Sequence, residues 1–330
     1  RVAELESTID TIKDIGKSER MAEFIDKKKR ANSMINLIQQ ISGESIADTA
    51  ESEQSVSQME DERKRLEQSI SEEFDELNIP IDNLSIDEKA FVLDEVDGGL
   101  EITGYQGPDT DCLVIPSHID GKRVVGIGHL ALNNINSKKV FIMDGIQYVS
   151  DSAFFQNTSL RELYIGNDVG EIYEYAFNSC SNLKKVSIGR KVKTIGDCSF
   201  SRTGIRNIVI PEGVERIGSN CFKDCSMLQK VVLNAGIKSL GQTAFENTRL
   251  EKVILPETID SLGLWVFKNS YIGSSIEIAF LGKKHSFKNI KPFADKTQNN
   301  VTVYCEDNTI KDYAHGFGFI VRPLLDFQFR

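Results

Sequence analysis

The 330-residue sequence predicts an α/β solenoid, a repeat array with parallel strands, preceded by an α-helical coiled coil or helical hairpin. Three observations lead there. A bulky apolar residue recurs every 22 or 23 residues, at Leu132, Phe154, Phe177, Phe200, Phe222, Phe245 and Phe267. A strand residue recurs at the same interval, at Ile142, Ile165, Ile188, Ile210, Leu233, Leu255 and Ile278. Residues 1–78 differ from all of this: they contain no Pro, Trp or Tyr and only Gly16 and Gly43. A constant period of this size marks units that cannot bury their own apolar face and must stack to do so.

The helical segment comes first. Its composition favours helices over 2–41 and 53–78, joined by the polar stretch Ser42–Ser55, and Pro80 stops the second. From Val56 a stripe advances by threes and fours through Met59, Arg63, Leu66, Ile70, Glu73/Phe74 and Leu77, with Arg63 as a charged misfit. So narrow a seam must be covered. An antiparallel hairpin, packing on the second half, a self-associating coiled coil and a regulatory helix all satisfy it. The coiled coil would make residues 1–80 the oligomerising part of a homo-oligomer.

Charge follows the same division. Residues 1–90 carry 22 acidic and 12 basic side chains, whereas the remainder carries 27 of each. Without a concentrated basic face, nucleic acid is not the expected partner. No apolar run approaches the roughly 20 residues that span a membrane. The start at Arg1, without Met, reads as a trimmed piece of a longer chain.

Each repeat can be read physically. In EIYEYAFNSCSNLKKVSIGRKV (171–192), Ala176 and Phe177 form a turn whose ring fills the core, and the small Ala lets neighbouring coils approach. Cys180 and Leu183 continue inward, and Val186 and Ile188, two apart, share one face of a short strand. Gly or Pro then turns the chain, as at Gly166, Gly189, Pro211 and Pro256.

The pattern resembles the BspA-type leucine-rich repeats, most closely in TIGDCSFSRTGIRNIVIPEGV (194–214) and RIGSNCFKDCSMLQKVVLNAGI (216–237). Residues 98–128 resemble the hairpin that opens such arrays, and 301–319 the strand and helix that close them. The expected organisation is a helical segment over 1–80, an N-terminal cap over 90–126, seven repeats over 127–282 and a C-terminal cap over 283–330. Unit one lacks the Phe, and unit seven has a longer approach through Tyr271–Glu277. The resemblance implies a bacterial cell-surface or secreted protein that binds host or neighbouring-cell components. The alternative is a cytoplasmic scaffold whose coiled coil oligomerises while the repeats recruit a partner.

No catalytic constellation, cofactor motif or metal set emerges. The six cysteines (112, 180, 198, 221, 225 and 305) read as free thiols, mostly buried, and none pairs with His118, His129, His285 or His315 at zinc spacing. Asp109 and Asp111 are a weak cation pair, and Asn157 and Asn300 match glycosylation acceptors. Function is therefore expected on the surface. The outward strand positions read Phe141, Tyr164, Ser187, Val209, Val232, Ile254 and Glu277. The preceding outward row reads Lys139, Glu162, Lys185, Asn207, Lys230 and Lys252. An apolar ridge flanked by lysines predicts a binding face for a protein or glycan partner, or for the molecule's own helix. Its expected contact residues are Phe141, Tyr164, Lys185, Val209, Lys230, Val232, Lys252 and Ile254.

Overall fold

A computed structural model describes residues 48–75, 86–268, 275–282, 289–290, 300–316 and 318–327. The chain divides into two units, Arg1–Glu51 and Ser52–Arg330, and the second holds the solenoid. The expected helix over 2–41, and with it any hairpin, lies outside the described residues.

Every coil places an aromatic on the same axis. Phe154, Phe177, Phe200, Phe222, Phe245 and Phe267 stack ring over ring, with successive centroids 4.9, 5.1, 5.5, 5.2 and 5.7 Å apart. Phe154, Phe177, Phe200 and Phe222 are fully shielded from water. Each buried ring contributes roughly 1.5–3 kcal/mol by area and about 0.5–1.5 kcal/mol more from each ring contact.

Two parallel sheets run along this axis. The first holds the long strands Cys112–Ile115, Lys139–Ile142, Glu162–Ile165, Lys185–Ser187, Asn207–Ile210, Lys230–Leu233, Lys252–Leu255, Ser275–Phe280, Asn300–Tyr304 and Ile320–Arg322. The second is built from two-residue strands, from Tyr148–Val149 to Asn289–Ile290. It begins on an antiparallel hairpin of Phe91–Val96 and Gly99–Tyr105, which pairs with Lys122–Ile127. A helix, Asn308–Gly316, lies between the last two long strands.

The turn carrying the Phe forms a third ladder that the strand pattern does not reveal. The residues two before and two after the ring hold positive φ, between 53° and 61°, at twelve non-glycine positions from Leu130 to Trp265. The alternation points every second N–H along the axis. Tyr175, Phe177 and Ser179 donate to the carbonyls of Asp197, Ser199 and Ser201 in the next coil. Left-handed backbone at these positions costs of order 1 kcal/mol or more each, and the inter-coil bonds hold it there.

The spacing between coils also has a structural trace. Where the step is 22 residues, the turn after the Phe is one residue shorter: Phe200 to Ile205 and Phe245 to Leu250. The long-strand ladder is interrupted at those two steps, between Ser187 and Asn207 and between Leu233 and Lys252. The residue three after the ring changes with it. In longer turns, Cys180 and Cys225 donate to the Phe carbonyl of the preceding coil, at 3.2 and 3.1 Å. In the shorter ones, Thr203 and Thr248 donate to the Phe carbonyl of their own coil, at 2.9 and 3.0 Å.

One register differs from expectation. Val253 faces Ile278, Ile254 faces Ala279 and Leu255 faces Phe280. The last coil is therefore two residues longer than supposed: Phe280, not Ile278, corresponds to Leu255. Glu277 belongs to the lysine row, opposite Lys252.

All six cysteines are free, four of them buried and Cys112 and Cys198 half-buried. Burial pushes the thiols of Cys180 and Cys305 up to about 12 and that of Cys225 up to about 11. They pack as small core residues.

Candidate interaction face

The outward side chains of the long strands form a file in three hydrogen-bonded stretches. Register places Val114, Phe141, Tyr164 and Ser187 in one line, and Val209 beside Val232. Ile254, Ala279 and Tyr304 continue it, so the file extends past the predicted ridge at both ends. Phe141 and Tyr164 stack with centroids 4.3 Å apart and planes within 2°. Burial, with Glu162 nearby, holds the Tyr164 hydroxyl above its ordinary pKa.

The file is not uniformly open. Phe141, Val232 and Ile254 are buried, at 7%, 1% and 5% exposure. Tyr164, Ser187 and Val209 are half-exposed. Two segments lie on the face at its Ile254 end. One is a helix, α1, spanning Asp48–Asp75. Its Met59 is 1% exposed and joins Ile254, Ala279, Leu281 and Tyr304 in a second apolar cluster, with Val56 against it. The other is the chain's end, where a 3-10 turn, Leu324–Asp326, brings Leu324 and Phe327 into the same cluster. The Phe327 ring meets Tyr304 edge-on at 5.1 Å.

The seam of α1 is thus used, and its target is the solenoid. Arg63, the misfit in a coiled-coil reading, donates through Nη1 to the Asn234 side-chain oxygen. Asn234 stands where other coils turn with Gly or Pro, and its amide donates in turn to the Ile210 carbonyl at 3.0 Å. Ile70, eleven residues along the stripe from Met59, is 1% exposed. Of the four ways to cover the stripe, packing on the second half is the one seen for Met59 and Arg63, which lie on the sheet. The side chains of Glu73, Phe74 and Leu77 lie outside the described residues.

The lysine row alternates with acid at its ends. Lys139 pairs with Glu162 at 3.0 Å and Lys252 with Glu277 at 2.9 Å. Lys252 also places its ammonium 5.4 Å from the Phe327 ring. Lys185, beside Glu162, and Lys230 occupy the middle, with Asn207 in the coil between them. Of the predicted contact residues, then, Tyr164, Lys185, Val209 and Lys230 present accessible surface. Lys252 is half-buried at the edge of the covered end, and Phe141, Val232 and Ile254 are buried rather than accessible.

The remaining candidates have structural roles. Asp111 pairs with Lys138 at 2.7 Å and Asp109 accepts from Asn136 at 3.0 Å. No group of three or more His, Cys, Asp or Glu that could hold a metal occurs among the described residues. Asn157 is 2% exposed and donates to the Leu132 carbonyl, so a glycan cannot reach it in the folded chain. No described helix is long and apolar enough to cross a membrane. The covering tail escaped sequence reasoning because Leu324 and Phe327 follow no repeat. Pro323 and the apolar residues Leu324, Leu325, Phe327 and Phe329 after the last strand were the only signal.

Comparison with known proteins agrees with this architecture. The family model for the BspA type leucine rich repeat region matches in six copies, over residues 113–228, 147–273 and 194–315. A leucine-rich repeat protein of T. pallidum is 22% identical, with 71% of this chain and 96% of that one covered and a TM-score of 0.47. A leucine-rich repeat protein from Bacteroides ovatus is 20% identical, covering 67% and 71%, with a TM-score of 0.38. A leucine rich cell surface protein from Faecalibacterium prausnitzii is also 20% identical, covering 66% and 53%, with a TM-score of 0.43. No curated protein matches. With the repeat model matched over more than half its length and the coils stacked as that pattern requires, the chain belongs to the BspA-type leucine-rich repeat family.

Proposed function

We propose that this chain is a non-enzymatic recognition or adhesion protein of a bacterial surface, binding a protein or glycan partner through the long-strand face of the solenoid. Membership of a repeat family of bacterial surface proteins supports the setting. The observation that carries the reading is the half-exposed run Tyr164, Ser187 and Val209, bordered by Lys185 and Lys230, on an otherwise covered file. Tyr164 is the residue type that anchors contact patches, and the lysines beside it supply a polar rim. The six free thiols favour a second reading, a scaffold in a reducing compartment that uses the same face.

The test uses the full chain on a glycan array and on immobilised matrix and cell-surface proteins. A double substitution, Tyr164→Ser with Val209→Ser, is expected to weaken whatever binding is found at least tenfold, about 1.4 kcal/mol, while the far-UV circular dichroism spectrum is unchanged. Undiminished binding by that variant would place the contact elsewhere.

A further inference from the structure

The stripe that docks α1 on the sheet is the same stripe that its spacing offers to any helical partner. Val56, Met59, Arg63, Leu66 and Ile70 advance by three and four residues. On the sheet, Met59 lies over the coils of Ile254 and Ala279, and Arg63 reaches the preceding coil at Asn234. At about 1.5 Å per residue, Ile70 falls roughly 16 Å beyond Met59, a little over three strand spacings. α1 therefore runs along the file, against the order of the coils, toward Val209 and Ser187. Ten residues, 76–85, separate its end from Ile86 ahead of the opening hairpin, enough extended chain to span about 33 Å.

Charge suits the contact. α1 carries ten acidic and three basic residues, and the row beside the file holds Lys139, Lys185, Lys230 and Lys252 against Glu162 and Glu277. Yet the contact is small. Of the described side chains between Val56 and Ile70, only Met59 and Ile70 are buried. Two anchors and one hydrogen-bonded arginine suffice because the segment is tethered, which sets its effective concentration in the millimolar range. A contact of that kind exchanges with a competitor of the same shape.

We propose that the long-strand face is a receptor site for an acidic amphipathic helix of a partner protein, with apolar residues three and four apart, and that α1 is its resident stand-in. The partner's helix enters as α1 leaves. This rests on the reading of the sheet face as the recognition surface, and it names both the chemistry recognised and what keeps the site closed.

The probe is a fluorescein-labelled peptide of residues 48–75, with a scrambled peptide of the same composition as control. Fluorescence anisotropy compares the full chain with a full-length variant carrying Met59→Glu and Ile70→Glu, which displaces α1 without touching the solenoid core. The variant is expected to bind the peptide at least tenfold more tightly than the unsubstituted chain does, and neither protein binds the scrambled peptide. Arg63→Glu, which removes the bond to Asn234, is expected to give an intermediate gain and serves if the double variant aggregates. Equal peptide binding by variant and unsubstituted chain overturns the proposal, as does equal binding of the scrambled peptide. If the undocked variant ignores the peptide but gains retention on the glycan and protein panel, the helix receptor is wrong and surface recognition stands. Failure of the recognition reading shows separately, as panel binding that the Tyr164 and Val209 substitutions leave intact.

Discussion

Phe200→Ala is expected to destabilise the solenoid by roughly 3–5 kcal/mol, the range for emptying a buried aromatic site. The ring is fully shielded from water and stacks on two others, Phe177 at 5.1 Å and Phe222 at 5.5 Å. Removing it leaves a void that neither neighbour can fill without leaving its own stack. In an array held by nearest-neighbour contacts, the damage falls on the interfaces with both adjacent coils. Urea denaturation should show a lower midpoint and a second transition as the two sides of the array uncouple. Phe200→Leu, which keeps most of the volume, should cost markedly less. A change below about 1 kcal/mol for the alanine variant would mean that the rings merely line the core.

Gly241→Ala is expected to cost about 1–3 kcal/mol, the range for overpacking. Its added Cβ would press on the Ser219 backbone nitrogen and stand 2.5 Å from the Gly218 carbonyl carbon of the preceding coil. Those atoms are main chain, so relief requires two coils to part, against the hydrogen bond from the Gly241 N–H to the Ile217 carbonyl at 2.8 Å. Gly316→Ala is the internal control. A Cβ there meets nothing within 4 Å, and the residue ends a helix. It should leave the thermal midpoint nearly unchanged while Gly241→Ala lowers it by several degrees.

The fold was legible where one residue has one job. Phe recurs because each coil offers a single large internal slot, and Ala, Ser or Cys precedes it because the next coil is close. Legibility failed where two registers satisfy the same pattern. Ile276, Ile278 and Phe280 alternate along a strand that meets Lys252–Leu255 from Glu277 onward, so apolar spacing alone fits at either of two positions. The pairing puts Phe280 opposite Leu255 and carries the ridge on through Ala279 to Tyr304. The positive-φ turns were hard to read because only Asn220, Asp224 and Asn247 of the twelve are residues that favour left-handed backbone, whereas Tyr175, Thr243 and Trp265 are not.

The binding face was half legible for a similar reason. Alternation along a strand shows which side chains point outward but not what lies on top of them. A three-and-four stripe describes a helix with one narrow apolar edge, whether it meets another helix or a sheet. Arg63 was the one clue. A guanidinium breaks the apolar line of a coiled-coil seam, whereas on this sheet it finds the Asn234 side-chain oxygen. The predicted ridge therefore comprises a covered part, Val232 and Ile254, and an accessible part, Tyr164 and Val209.

The account turns on α1 lying on the long-strand face, and methionine oxidation reports that directly. Met59 is 1% exposed, whereas Met143 and Met227, both on the solenoid, are half-exposed. Under dilute peroxide, with peptide mapping by mass spectrometry, Met59 should oxidise several-fold more slowly than Met143 and Met227 in the folded chain, and at their rate in denaturant. Oxidation of Met59 in the folded chain as fast as those two would contradict the docked helix and, with it, the covered end of the long-strand face.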